Sequence, residues 1–235
     1  RRILIRLDDV SPLLNLGSST REHRERAQPH VARELFEPLE RAGIAVVHSD
    51  LKAADGVDVA GDVLDPEVRR TLKASGFRCI LIANLLEHVR DRAAIAAACE
   101  EIVGPGGMVL ATAPSDYPYH ADPIDTGYRP SPIELAALFE RSEPLLAKEL
   151  VGPTYGETVR NRGGLWRELG RTALWALIFF ARPKSAAARL HRWRWYARPY
   201  RISIALVRVS RRLTSAPTPR AGAGRRAAAG GGAGR

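Results

Sequence analysis

Four short polar stretches each follow a brief apolar run: Asn15-Leu16-Gly17-Ser18-Ser19, Asp50-Leu51, Gly61-Asp62-Val63 and Asn84-Leu85. A glycine such as Gly17 lets the backbone approach a ligand with no Cβ in the way. Ser18, Ser19 and Thr20 add hydroxyls and amides beside it. A carboxylate at Asp50 can accept hydrogen bonds from both hydroxyls of a ribose. One at Asp62 can accept from an exocyclic amine, with Val63 against the ring that carries it. Each residue also has a plainer use, as a turn glycine or a helix N-cap.

A fifth stretch, Ala113 to Pro130, is dense in groups that can do chemistry. The unperturbed pKa of histidine is near neutrality, which makes His120 the natural proton acceptor. Asp122 and Asp125 can orient its ring or serve as base themselves. Tyr119, Tyr128 and Arg129 can anchor an anionic or polyol compound. Pro118, Pro123 and Pro130 stiffen the loop, and aspartates near prolines also form turns. His88 is expected to make a structural hydrogen bond at the start of a helix.

Short apolar runs bounded by turn residues predict strands at Leu13–Leu16, Ile44–His48, Val57–Ala60, Phe77–Ala83 and Met108–Ala113. Helical spacing predicts helices over Val31–Ala42, Asp65–Ser75, Arg92–Val103 and Pro132–Glu140. Leu145–Val151 and Ile202–Val209 read as two last strands closing an antiparallel edge. Strands buried on both faces and separated by crossover helices imply an α/β protein with a doubly wound, mostly parallel sheet. Such sheets bind ligands beyond the carboxyl ends of their strands. Gly17, Asp50, Asp62 and Asn84 all follow predicted strand ends.

The 235 residues suffice for one domain of the larger kind. Net charge is +10, and such a surface attracts phosphates of nucleic acid or lipid. Cys79 and Cys99 lie in apolar stretches, as buried thiols in a reducing compartment would. No Cys/His spacing suggests zinc, so no metal site is expected. No leader is visible, which predicts a cytoplasmic protein. The chain opens on Arg1-Arg2 rather than Met, which leads us to expect an upstream segment. Residues 1–12 read as a lead-in whose Ile3-Leu4-Ile5 packs on the domain edge. Residues 13–213 read as the main domain, and 214–235, all Ala, Gly, Pro, Thr, Ser and Arg, as a disordered tail.

The order of these motifs resembles the class I S-adenosylmethionine-dependent methyltransferases, in particular their type 11 group. The resemblance covers roughly residues 13–140. It is carried by Leu14-Asn15-Leu16-Gly17-Ser18-Ser19, Asp50, Gly61-Asp62, Ala83-Asn84-Leu85-Leu86-Glu87-His88-Val89 and Pro105-Gly106-Gly107. It implies a Rossmann-like fold and S-adenosyl-L-methionine as cofactor. Asn15, Gly17, Ser18 and Ser19 would then meet the methionine moiety, Asp50 and Leu51 the ribose, and Asp62 and Val63 the adenine. Asn84 and Leu85 would lie beside the sulfonium. Two positions depart from the family's pattern: Asn15 replaces an acid, and Ser19 replaces a second glycine. A nicotinamide enzyme is disfavoured because Gly-x-Gly-x-x-Gly is absent. The Ala113–Pro130 loop would hang over the cofactor and serve the acceptor.

All four tryptophans fall in residues 161–199, a basic segment read as a helical insertion. From Arg160 to Arg212 there are fourteen Arg or Lys and one acid, Glu168. The apolar run Thr172–Ala181 is shorter than the roughly 20 residues that cross a bilayer. It suits either a helix in the membrane interface facing anionic lipid, or a lid over the acceptor pocket. Nucleic acid ranks lower, because Leu174–Phe180 is more apolar than a base-stacking face needs. The sequence thus predicts an O-methyltransferase acting on a sugar, lipid-linked or other small acceptor at the inner membrane face. An RNA methyltransferase, or a non-catalytic protein of the same fold with a membrane or partner anchor, are the alternatives.

Overall fold

Consecutive apolar residues in a strand point to opposite faces of a sheet, and here both faces are covered. The computed structural model describes residues 2–119, 125–161, 164–177, 187 and 190–211. Its strands are β1 (Leu13–Leu16), β2 (Val46–Asp50), β3 (Val59–Ala60), β4 (Cys79–Ala83), β5 (Met108–Asp116), β6 (Ser142–Thr154) and β7 (Pro199–Val209). They form one sheet in the order β3-β2-β1-β4-β5-β7-β6. β1 to β5 pair in parallel, and β7 runs antiparallel to both β5 and β6. The fold is therefore the doubly wound α/β sheet that the strand pattern predicts. Its antiparallel strand sits inside the sheet, with β6 outermost.

The helices are α1 (Arg2–Arg6), α2 (Pro29–Val31), α3 (Glu37–Arg41), α4 (Pro66–Ala74), α5 (Arg92–Val103), α6 (Pro132–Ala137), α7 (Tyr155–Asn161) and α8 (Leu165–Leu177). One layer packs Leu72 of α4, Ile95, Cys99 and Ile102 of α5, and Leu135 of α6 against Leu14, Ile80, Ile82, Val109 and Val207. The other packs Leu4, Val10, Phe36 and Leu39 against Leu13, Cys79, Leu81, Leu110 and Leu206. Burial pushes the Cys79 thiol up to about 12 and the Cys99 thiol up as well. Both are inert packing groups. Leu4, expected at an edge, is fully buried in the second layer.

Local chemistry sets the element ends. Asp65 caps α4 by accepting from the Glu67 amide at 2.7 Å, and Pro66 follows as its first residue. Asp91 caps α5 through the Ala94 amide. Ser131 and Glu134 form a reciprocal capping box on α6. The helix expected over Val31–Ala42 is broken. A π-helical turn at Ala32–Phe36 separates α2 from α3, and another occupies His23–Ala27. Pro38 has no N–H to give the carbonyl four residues back, which favours such a shift of the ladder. The helical insertion starts at Tyr155 rather than 161. There the Glu157 carboxylate accepts from the Thr154 amide at 2.7 Å, while the Thr154 hydroxyl accepts from the Glu157 amide at 3.1 Å. The tail expected at 214–235 lies outside the described residues.

Candidate cofactor and acceptor site

The topology reverses between β1 and β4, so the crevice beyond their carboxyl ends is where a ligand fits. Gly17 opens that edge. Its φ is +74°, in the left-handed region, and a Cβ there would stand 3.0 Å from the Leu85 side chain. The Gly17 and Ser18 amides both donate to the Ser49 carbonyl, tying the loop to the end of β2. Ser19 also adopts a positive φ, of 55°, and its amide donates to Asp50 Oδ2 at 2.7 Å. Asp50 thus has one oxygen on the loop, while the other carries no bond among the described residues.

Asp62 has the same division. Oδ1 accepts from the Leu64 amide at 2.9 Å, and the side chain is exposed beside the buried Val63. Leu51 is exposed. Asn84 turns the chain sharply at a φ of 52°, and its Oδ1 accepts from the Thr112 hydroxyl at 3.1 Å. Ala60, Asp62, Ala83 and Asn84 are all exposed, so this edge of the sheet is open.

Two residues that the sequence does not single out organise the glycine loop. Arg24 is buried, and its guanidinium donates to the carbonyls of Ser18 at 3.0 Å, Ser19 at 2.6 Å and Gly56 at 2.8 Å. Burial and the neighbouring Arg21 lower its pKa. His48 is the in-register neighbour of Asn15 across β1 and β2. The Asn15 amide nitrogen lies 3.0 Å from His48 Nδ1, which accepts its hydrogen. Burial first, and then Arg24, lower the His48 pKa to about 4, so the ring is neutral. Both residues line a surface hollow of about 670 Å³ on the helix side of β2. That hollow is distinct from the strand-end crevice. No spacing rule marks Arg24 among its neighbours Arg21 and Arg26, but the in-register pairing of Asn15 with His48 follows once β1 and β2 are aligned.

On the acceptor side, His120 and Asp122 lie outside the described residues. Asp125 is buried and held by Arg129 through two hydrogen bonds, at 3.0 and 2.5 Å. It also accepts from the Gly127 amide. Tyr128 packs against the helical layer under the guanidinium of Arg92, 4.3 Å from its ring centre, and burial raises its pKa. Tyr119 is exposed. The Thr126 amide and hydroxyl both donate to the Glu87 carbonyl, which fastens this loop to the 3₁₀ turn Leu86–His88. The Glu87 carboxyl is buried and its pKa raised by that burial. His88 lies 3.9 Å from it.

The basic insertion returns to the same edge. Asp116, the last residue of β5, accepts from the Trp195 indole at 3.1 Å and from Arg198 at 2.6 Å. Trp195 belongs to a 3₁₀ turn at Arg192–Trp195 and packs with Tyr155 and Val159 of α7. The rings of Tyr117 and Tyr200 meet at 4.7 Å. Among the described residues no cluster of His, Cys, Asp and Glu is placed to hold a metal.

No sequence-family profile matches the chain, and no curated protein does. Solved structures do match its shape. A SAM-dependent methyltransferase from Archaeoglobus fulgidus shares 13% identity at a TM-score of 0.51, over 88% of this chain and 90% of its own. A putative sarcosine dimethylglycine methyltransferase from Galdieria sulphuraria shares 12% identity at 0.50, over 88% and 81%. The cyclase SpnF shares 14% identity at 0.50, over 87% and 76%. The chain carries the class I methyltransferase fold.

Proposed function

We propose that the protein binds S-adenosylmethionine at the carboxyl edge of β1–β4 and methylates a hydroxyl on a sugar, lipid-linked or other small acceptor. The observation that carries this reading is the alignment of Gly17, Asp50, Asp62 and Asn84 on one open edge at the topological switch. The residues fit the cofactor. Gly17 leaves no Cβ between the loop and Leu85. Asp50 and Asp62 each have a carboxylate oxygen beyond the one held by a backbone amide. Asp50 would receive the ribose hydroxyls, Asp62 the adenine amine, and Asn84 would border the reacting end.

When bound, S-adenosylmethionine supplies an electrophilic methyl group. Displacement at carbon gains most of its rate from alignment and water exclusion. The segment after β5, with Tyr117 against Tyr200 and the insertion fastened to Asp116, borders the place where an acceptor would sit. His120 is our candidate for the group that removes the acceptor's proton. The Asp125–Arg129 pair would brace the loop that follows it.

Isothermal titration with S-adenosylmethionine tests the reading. Saturable binding, weakened by Asp50→Ala, is expected. Absence of binding at high micromolar cofactor would sink it. Transfer of labelled methyl to a panel of glycan and lipid-linked acceptors, lost in His120→Ala with cofactor affinity kept, tests the base. One observation favours a non-catalytic alternative: Asn15 offers an amide, occupied by His48, where the resembling enzymes have an acid.

A further inference from the structure

α8 is an amphipathic helix that turns Glu168 and Thr172 inward. Glu168 accepts from the Tyr155 hydroxyl at 2.6 Å, and buried Thr172 accepts from the Trp193 indole at 3.3 Å. The outward residues recur at helical spacing: Trp166, Leu169, Gly170, Ala173, Leu174 and Leu177. Trp166 is 84% exposed and Leu177 79%. Arg167 and Arg171 follow one flank and are also exposed. Water gives no reason for this orientation, and a contiguous apolar stripe marks an interface.

We propose that this face docks on the surface of an anionic lipid bilayer. Charge selects the occupant. The chain carries a net charge of +10, and residues 160–212 hold fourteen Arg or Lys against Glu168 as their one acid. Apolar side chains entering the acyl boundary, with arginines left at the level of the phosphates, are the two attractions that hold an interfacial helix. Trp166 suits that depth. Among the described residues α8 has 13, against roughly 20 for a crossing. Among the described residues, no helix is long and apolar enough to cross a membrane. A nucleic-acid face would need stacking rings, and α8 presents leucine and alanine around its outward tryptophan.

The same insertion is pinned to the end of β5 through Trp195, Arg198 and Asp116. Docking therefore brings the acceptor side of the crevice to headgroup level. Resting on the methyltransferase reading, this narrows the acceptor to a lipid or a lipid-linked glycan.

Co-sedimentation of the full chain with two vesicle types tests the surface: phosphatidylcholine alone, and phosphatidylcholine with phosphatidylglycerol. Binding should require the anionic lipid and weaken with salt. The double variant Trp166→Glu with Leu177→Glu should lose roughly tenfold or more in partition, with melting temperature and S-adenosylhomocysteine affinity kept. Equal binding to neutral vesicles overturns the proposal, as does a shift of RNA without vesicle binding. So does a concentration-dependent dimer abolished by the double variant. A fall in melting temperature with unchanged partition assigns the stripe to internal packing and likewise overturns it. Arg167→Gln with Arg171→Gln checks the charge separately and should weaken anionic binding alone. Cofactor titration reads out independently, so vesicle binding without cofactor binding sinks the enzyme reading and leaves the docking surface standing.

Discussion

His48 shows how one side chain can set the protonation limits of a loop it never enters. It takes the Asn15 amide hydrogen only while its ring is neutral, and its pKa is lowered from 6.5 to about 4. The unfolded chain therefore binds the proton more tightly than the folded one. Stability from this site is complete above pH 6.5 and is lost as pH falls from 6.5 toward 4. Urea titrations across that window should show the decline, and His48→Gln should flatten it. An identical pH slope in the variant would refute the assignment. Arg24 acts on the same loop by holding three carbonyls. Arg24→Met keeps the apolar stem and removes the donors. S-adenosylhomocysteine should then bind roughly tenfold more weakly, by calorimetry, with the sheet still folded by circular dichroism.

At the scale of elements, Pro105-Gly106-Gly107 illustrates a motif whose reason is packing. A Cβ on Gly107 would stand 2.5 Å from Val103 Cβ and 2.7 Å from the Val103 carbonyl. Gly107→Ala should cost about 1–3 kcal/mol in urea unfolding and leave cofactor affinity untouched. The strands were legible because apolar runs ending in Gly or Asp are strong signals. β1 and α5 have the predicted bounds, and β4 and β5 differ by two or three residues. The π-turns before and after α2 were not legible, since spacing reports a helix's face and not the register of its hydrogen bonds. α7 lies outside the run of tryptophans and arginines that predicts an insertion from 161, although Thr154 and Glu157 carry a capping-box spacing. In the site, the strand-end residues were legible as a set. Arg24 was not, because its role depends on carbonyls that converge only after folding. Nor was the mutual pairing of Asp125 with Arg129, which the sequence leaves as one base and one anchor.

For the molecule as a whole, the described residues of the insertion are tied to the sheet at named points. Asp116 is one of them, accepting from both Trp195 and Arg198. Asp116→Ala should speed tryptic cleavage at Arg192 and Arg194, read by mass spectrometry, while the main unfolding transition moves little. Cleavage at the parent rate would mean that the aromatic contacts of Tyr155 and Trp193 suffice to hold the segment.

The position of β7 also dictates an order of events during synthesis. β7 lies between β5 and β6, yet it follows both in the chain. Until residues 199–209 emerge, β5 presents an unpaired edge, and β6 has no sheet to join. Every contact that completes this half of the core is long-range in sequence, the kind that slows folding and leaves strand edges open to other chains. The nascent protein must therefore wait with its insertion already made and its sheet open, and chaperone demand should peak in that interval.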